Sequence, residues 1–272
     1  MPSPTEITVA QLSRLVGTPQ CPRLIDVRVD EDFAADPVLI PGAKRRNWCS
    51  VDTWAEPYRG QHVAVMCQRG AKLSQGVAAL LRTRGIHAET LEGGHVAWRK
   101  AGLPAVPEAK LPARDGLGRT FWVTRERPKI DRIACPWLIR RFIDPDAVFL
   151  YVAASQVNDV ASRFGAAPFD VENVFWSHRG DTCTFDTMVA ELGLSSPALD
   201  RLAAIVRGAD TARLDIAPQA AGLLAASLGF SRMHRDDLEQ LEAAMPLYDA
   251  FYRWCRDATE ETHNWPATKP AA

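Results

Sequence analysis

Along the first part of the chain, short apolar runs alternate with segments of helical periodicity. Thr8 precedes Val9, Leu12, Leu15 and Val16, which share one face of a helix that Gly17 ends. Residues 23–27 read as a buried strand, and Ile40-Pro-Gly-Ala43 as a turn leading into a short one. Residues 63–66 form a further apolar run, after which the period changes to that of a helix over 71–84, with Leu73, Val77, Leu80 and Leu81 apolar. Residues 87–91 alternate as a strand does, and a short helix bearing Trp98 follows Gly93 and Gly94. Strands alternating with helices predict a parallel sheet covered on both faces.

Residues 104–118 break this pattern, being rich in proline, glycine and small or charged residues, and read as a linker. Beyond it, residues 120–124 and 147–152 are strand-like, with a helix over 131–143 between them that tolerates Pro136 in its first turns. Ser155 caps a helix running to about residue 163, and Phe169 and 174–176 mark short extended pieces. Helices dominate from there: 185–192, 198–207, 219–228 and 235–255, the last kinked or split by Pro246. The expected class is an α/β domain with a parallel sheet, followed by a mainly helical α+β domain.

The 272 residues are 47% hydrophobic and 24% charged, enough for two globular domains. A formal net charge of -1 gives no overall case for nucleic acid or an anionic membrane. No apolar run is long enough to span a bilayer. The start, Met-Pro-Ser-Pro-Thr-Glu, has neither the basic nor the apolar region of a leader. The six cysteines are dispersed, with no Cys-x-x-Cys pair, so the expected setting is cytoplasmic with free thiols.

The chemistry of the first half centres on Cys67, which ends an apolar strand and opens the turn Gln68-Arg69-Gly70-Ala71-Lys72 before a helix. Converging backbone N–H groups and a helix N-terminus favour a thiolate there, and Arg69 and Lys72 would add to the field. Asp26 and Arg28 read as a structural ion pair at a neighbouring strand end.

Four segments in order and spacing carry a resemblance over about the first 107 residues: Leu24-Ile-Asp-Val-Arg28, Ile40-Pro-Gly-Ala43, the Cys67 loop, and Leu91-Glu-Gly-Gly-His-Val-Ala-Trp98 with Gly102-Leu-Pro104. Together they resemble a rhodanese domain. The resemblance implies a sulfurtransferase in which Cys67 takes sulfur from a thiosulfate-like donor, holds it as a persulfide, and yields it to a thiol or cyanide. It implies that the N–H groups of Gln68, Arg69, Gly70, Ala71 and Lys72 ring the sulfur, that Arg69 and Lys72 bind the donor, and that no cofactor is required. Leu39 replaces the histidine usual before Ile-Pro-Gly. The serine common just after the loop stands one residue late, at Ser74.

In the second half, His178, Arg179, Asp181, Cys183 and Asp186 fall within nine residues. Imidazole, thiol and carboxylate together could ligate a transition metal, and Asp210 is a further candidate ligand. Arg132 and Arg179 could instead bind an oxyanion. Asp131-Arg-Ile-Ala-Cys-Pro-Trp-Leu-Ile-Arg-Arg-Phe-Ile-Asp144, His178-Arg-Gly-x-x-Cys-Thr-Phe-Asp186, Ile205-Val-Arg-Gly-Ala-Asp210 and Tyr248-Asp-Ala-Phe-Tyr-Arg-Trp254 resemble the C-terminal domain of the chromate-resistance protein B family, over residues from about 119 to 256. That resemblance implies sensing or handling of chromate. The expected organisation is thus a rhodanese-like domain at 1–107, a linker at 108–118 and a chromate-resistance-type domain at 119–265. The alternative to a sulfurtransferase is a non-catalytic oxyanion sensor or regulatory protein.

Overall fold

The computed structural model describes residues 5–262. The expected end of the second domain, residue 265, lies outside them. The first half runs β1 (Glu6–Ile7), α1 (Val9–Leu15), β2 (Arg23–Asp26), α2 (Asp30–Ala35), β3 (Val38–Leu39), β4 (Ala43–Arg45), α3 (Val51–Trp54), β5 (His62–Met66), α4 (Lys72–Thr83), β6 (His87–Leu91), α5 (Gly94–Lys100) and β7 (Val106–Pro107). Thr8 caps α1 reciprocally with Gln11. Five strands form one sheet in the order β1-β6-β5-β2-β4, with parallel pairing throughout. Its inner positions Val63, Ala64, Val65 and Met66 are fully buried, as a strand covered on both faces requires. This is the α/β fold with a parallel sheet that the sequence predicts, and β5 at its centre delivers Cys67 to the carboxyl edge of the sheet.

The second half runs β8 (Phe121–Arg125), α6 (Ile130–Phe142), β9 (Val148–Val152), α7 (Val157–Phe164), β10 (Ala167–Pro168), α8 (Thr184–Glu191), α9 (Pro197–Asp210), α10 (Ala220–Met233) and α11 (Asp237–Asp257). Its three strands form a small parallel sheet, β10-β8-β9, and the later helices pack beside it. Two local expectations are corrected. Ser155 lies inside a 3₁₀ turn, and α7 starts at Val157 with no side-chain cap. Pro246 does not split the last helix: α11 is one element of 21 residues, long enough to absorb the missing hydrogen bond.

The halves share one hydrophobic core, which contains Leu12, Leu39, Ile40 and Trp98 from the first and Trp137, Phe142, Phe185 and Tyr252 from the second. Gly17 faces Phe142 so closely that a Cβ there would come within 2.2 Å of the ring. Lys44 crosses to Asp144 at 2.7 Å, both side chains being buried, and Asp144 also accepts from the Thr120 amide and hydroxyl. The segment read as a linker is held on both sides. Glu108 donates its N–H to the Pro37 carbonyl, Lys110 reaches Glu191, and Arg114 reaches Asp144. Among the described residues, no helix is long and apolar enough to cross a membrane.

Candidate functional sites

At the carboxyl end of β5, Cys67 is 5% exposed, and its Sγ lies 3.2 Å from the Ser74 hydroxyl and 3.4 Å from the Ala71 amide. Burial pushes this thiol up, but the Ser74 hydroxyl and the N–H groups of Ser74, Ala71 and Arg69 outweigh burial, and its pKa falls below the usual thiol range. Arg69 and Lys72 are exposed. The thiolate therefore depends first on the dipoles around it rather than on the cations expected to lower it. Ser74 was missing from the expected site; its place in the sequence, just past the loop, was the signal for it.

The loop is locked from behind by the start of α5. His95 and Val96 donate their N–H groups to the Cys67 and Gln68 carbonyls at 3.0 Å. Gly94, at φ +59°, passes so close that a Cβ would sit 2.3 Å from the Cys67 carbonyl oxygen and the Gly70 nitrogen. At Gly70, with φ +65°, a Cβ would lie 2.4 Å from the Leu91 carbonyl oxygen. Only glycine meets both the dihedral and the close approach. Turning the loop carbonyls outward to α5 leaves its N–H groups free to face the sulfur.

Asp26 and Arg28 form a buried pair, with Nη2 2.6 Å from Oδ2 and Nε within 3.1 Å of both oxygens. Arg28 also donates to the Asp36 and Val38 carbonyls, tying the end of β2 to β3. Nearby, Asp30 pairs with Arg45.

In the second half, three segments bring three carboxylates onto one imidazole. His178 Nε2 lies 3.2 Å from Asp210, 3.4 Å from Asp170 and 3.5 Å from Asp131. Asp131 opens α6, Asp210 ends α9, and Asp170 and His178 lie on the connection between β10 and α8. Asp170 holds a left-handed backbone at φ +52°, a conformation that aspartate tolerates better than most residues. The first amides of α8, on Thr184 and Phe185, point at Asp131 Oδ2, and the Thr184 hydroxyl donates to Asp170. Arg132 reaches Asp170 at 3.3 Å. Burial, then Asp210 and Asp170, push the Asp131 carboxyl well above the usual range. Hydrogen bonds to Asp170 and Asp210 push His178 up to about 10. A cleft of about 440 Å³ opens beside it, lined in part by Arg125, Asp170, Ser177 and His178.

Of the residues expected here, His178, Asp210 and Arg132 meet. Cys183, Asp186 and Arg179 are occupied elsewhere. Cys183 and Asp186 form the reciprocal cap of α8, and Arg207 holds the other Asp186 oxygen at 2.7 Å. Burial, then Asp131, raises the Cys183 thiol far above its usual range. Arg179 pairs with Glu191. Asp131 and Asp170 were not named as ligands. Asp131 was visible as helix-start polarity, whereas Asp170 had no signal.

Residues 122–255 match the family described as ChrB, C-terminal domain. Protein ChrB of Cupriavidus metallidurans is 33% identical over 156 residues, which cover 56% of this chain and 46% of that protein. The chain therefore spans less than half the length of this curated relative. The family match spans the part of the chain where Asp131, Asp170, His178 and Asp210 all stand. Several solved structures are similar to the first half. A rhodanese-related protein from Thermoplasma volcanium is 23% identical and covers 38% of this chain and 98% of its own, with a TM-score of 0.33. A rhodanese-like domain protein from Staphylococcus aureus is 27% identical and covers 35% and 90%, at 0.32. A thiosulfate sulfurtransferase from Pseudomonas aeruginosa is 24% identical and covers 38% and 19%, also at 0.32.

Proposed function

We propose that the first half is a sulfurtransferase working through a persulfide on Cys67, and that the second half ties this chemistry to chromate resistance through metal or oxyanion binding. One observation carries the first part: a strand-end thiol whose pKa is held down by a ring of N–H groups and a hydroxyl. The Cys67 thiolate attacks the outer sulfur of a thiosulfate-like donor. The donor's S–S bond breaks, and sulfite leaves with the bonding electron pair. The same N–H groups then bear the negative charge of the persulfide. Cyanide or an acceptor thiolate attacks the terminal sulfur, and the Cys67 thiolate departs. Every step is a displacement, so no external oxidant is needed. Arg69 and Lys72, exposed at the loop, would receive the anionic donor and stabilise departing sulfite.

The test supplies thiosulfate and cyanide to the purified chain and measures thiocyanate. Activity that Cys67→Ala abolishes is expected; full activity in that variant rejects the assignment. The near-complete burial of Cys67 favours a second reading, in which the loop senses an anion without turning it over. Intact mass separates the two. A gain of one sulfur atom after exposure to donor supports transfer, and an unmodified thiol supports the sensor. The link to chromate rests on the likeness to ChrB and is read from chromate tolerance in cells carrying parent or Cys67→Ala protein.

A further inference from the structure

We propose that Asp131, Asp170, Asp210 and His178 form a binding site for a divalent first-row transition cation. The inference goes beyond the reading above by assigning the donor set and the metal class. It does not depend on sulfur transfer at Cys67, and its test reads cation binding alone.

Three carboxylates are gathered here with their side chains buried or largely so: Asp131 at 0% exposure, Asp170 at 8% and Asp210 at 19%. Gathering like charges out of water is costly unless a cation joins them. One oxygen of Asp131 is already used, accepting from the first turn of α8 and facing His178. The other, Oδ1, is buried and has no hydrogen-bond partner among the described residues. An unpartnered oxygen of this kind calls for an explanation. Ligand atoms of Asp131, Asp170 and His178 all lie within 4.8 Å of one another, the spacing of donors around one ion. Asp210 lies 3.2 Å from the same imidazole nitrogen and extends the set. The cleft against His178 and Asp170 gives an ion a way in.

The chemistry of the donors narrows the ion. Carboxylate oxygens suit hard divalent cations, and an imidazole shifts preference towards manganese, iron or zinc. The thiols are not needed: Cys183 is committed to the cap of α8. An oxyanion such as chromate is a poor direct occupant, because the three carboxylates would repel it. It would fit better as a ligand of the bound cation, with exposed Arg125 on the cleft wall.

The full chain, stripped by chelator and dialysed, is titrated calorimetrically with Mn²⁺ and separately with Zn²⁺. The background carries His62→Ala and His87→Ala, because those stacked rings and Glu89 make a second, surface group of donors. One bound ion is expected. Asp131→Asn and His178→Ala should each weaken binding by about 10- to 100-fold or more. Asp131→Asn keeps an amide oxygen able to accept from α8. Thermal melts follow in parallel: without metal this variant should melt no lower than its background, and with metal only the background should gain stability. No binding of either ion up to about 1 mM, or equal affinity in the background and both variants, overturns the proposal. His178 and Arg132 would then be the counter-charges of a closed ion-pair network.

Discussion

Around Cys67, the negative charge of one sulfur is met first by N–H groups and a hydroxyl. Around His178, three carboxylates meet one imidazole and the Arg132 guanidinium. The first site is contiguous in sequence, residues 67–74 braced by 93–96, and owes its shape to glycines that let backbone approach backbone. The second is drawn from three distant segments and owes its shape to charges held at helix ends and on one connection. A site built from backbone dipoles is complete when the chain has folded. A site built from like charges needs opposite charge brought to it.

This contrast can be broken in several ways. The largest effect is expected from Cys67→Ser, which keeps the size of the side chain and removes the nucleophile. Thiocyanate formation should fall by about 10³-fold or more, while Mn²⁺ binding stays unchanged. Loss of both together would mean that the sites are not separate. Next comes Arg28→Ala, which strands the buried Asp26 carboxylate at the end of β2. Removing one partner of a buried pair costs about 3–5 kcal/mol, to be read from urea unfolding, and a smaller loss would show that Asp26 finds water. Gly94→Ala forces a methyl group against the Cys67 carbonyl. We expect about 2–4 kcal/mol of destabilisation and slower sulfur transfer in the folded fraction; a neutral result would show that the loop is not locked from behind.

Ser74→Ala should have the smallest effect. The Cys67 thiol titrates below the ordinary range, so alkylation by iodoacetamide rises with pH, passes its midpoint early and then levels off. Without the Ser74 hydroxyl the midpoint moves up, and the rate at pH 7 falls by about 3- to 10-fold. An unmoved midpoint would assign the whole effect to backbone N–H groups.

The same contrast explains what the sequence could reveal. The alternation of strands and helices in the first half was legible because each strand, turn and helix is written in adjacent residues, and the Cys67 loop is a local object. Ser74 was seen but left out, because one inserted residue hid that a helical turn returns its hydroxyl to the sulfur. His178, Asp210 and Arg132 were identified as candidates. Cys183, Asp186 and Arg179 were grouped with them only by nearness in sequence, and the structure spends all three on a helix cap and ion pairs. Asp170 was invisible because its position depends on a left-handed turn between β10 and α8 that no periodicity announces. The shared core was hidden too, since Gly17 reads as a helix stop until Phe142 is found lying against it.

That contact limits how such a protein can be rearranged. Separating the halves would divide one apolar core, leave Lys44 without its buried aspartate and bare Phe142 where Gly17 lies on it. Neither fragment would have a surface suited to water, so these two modules cannot be swapped between genes like beads on a string. Any donor of one half must bring the matching imprint of the other.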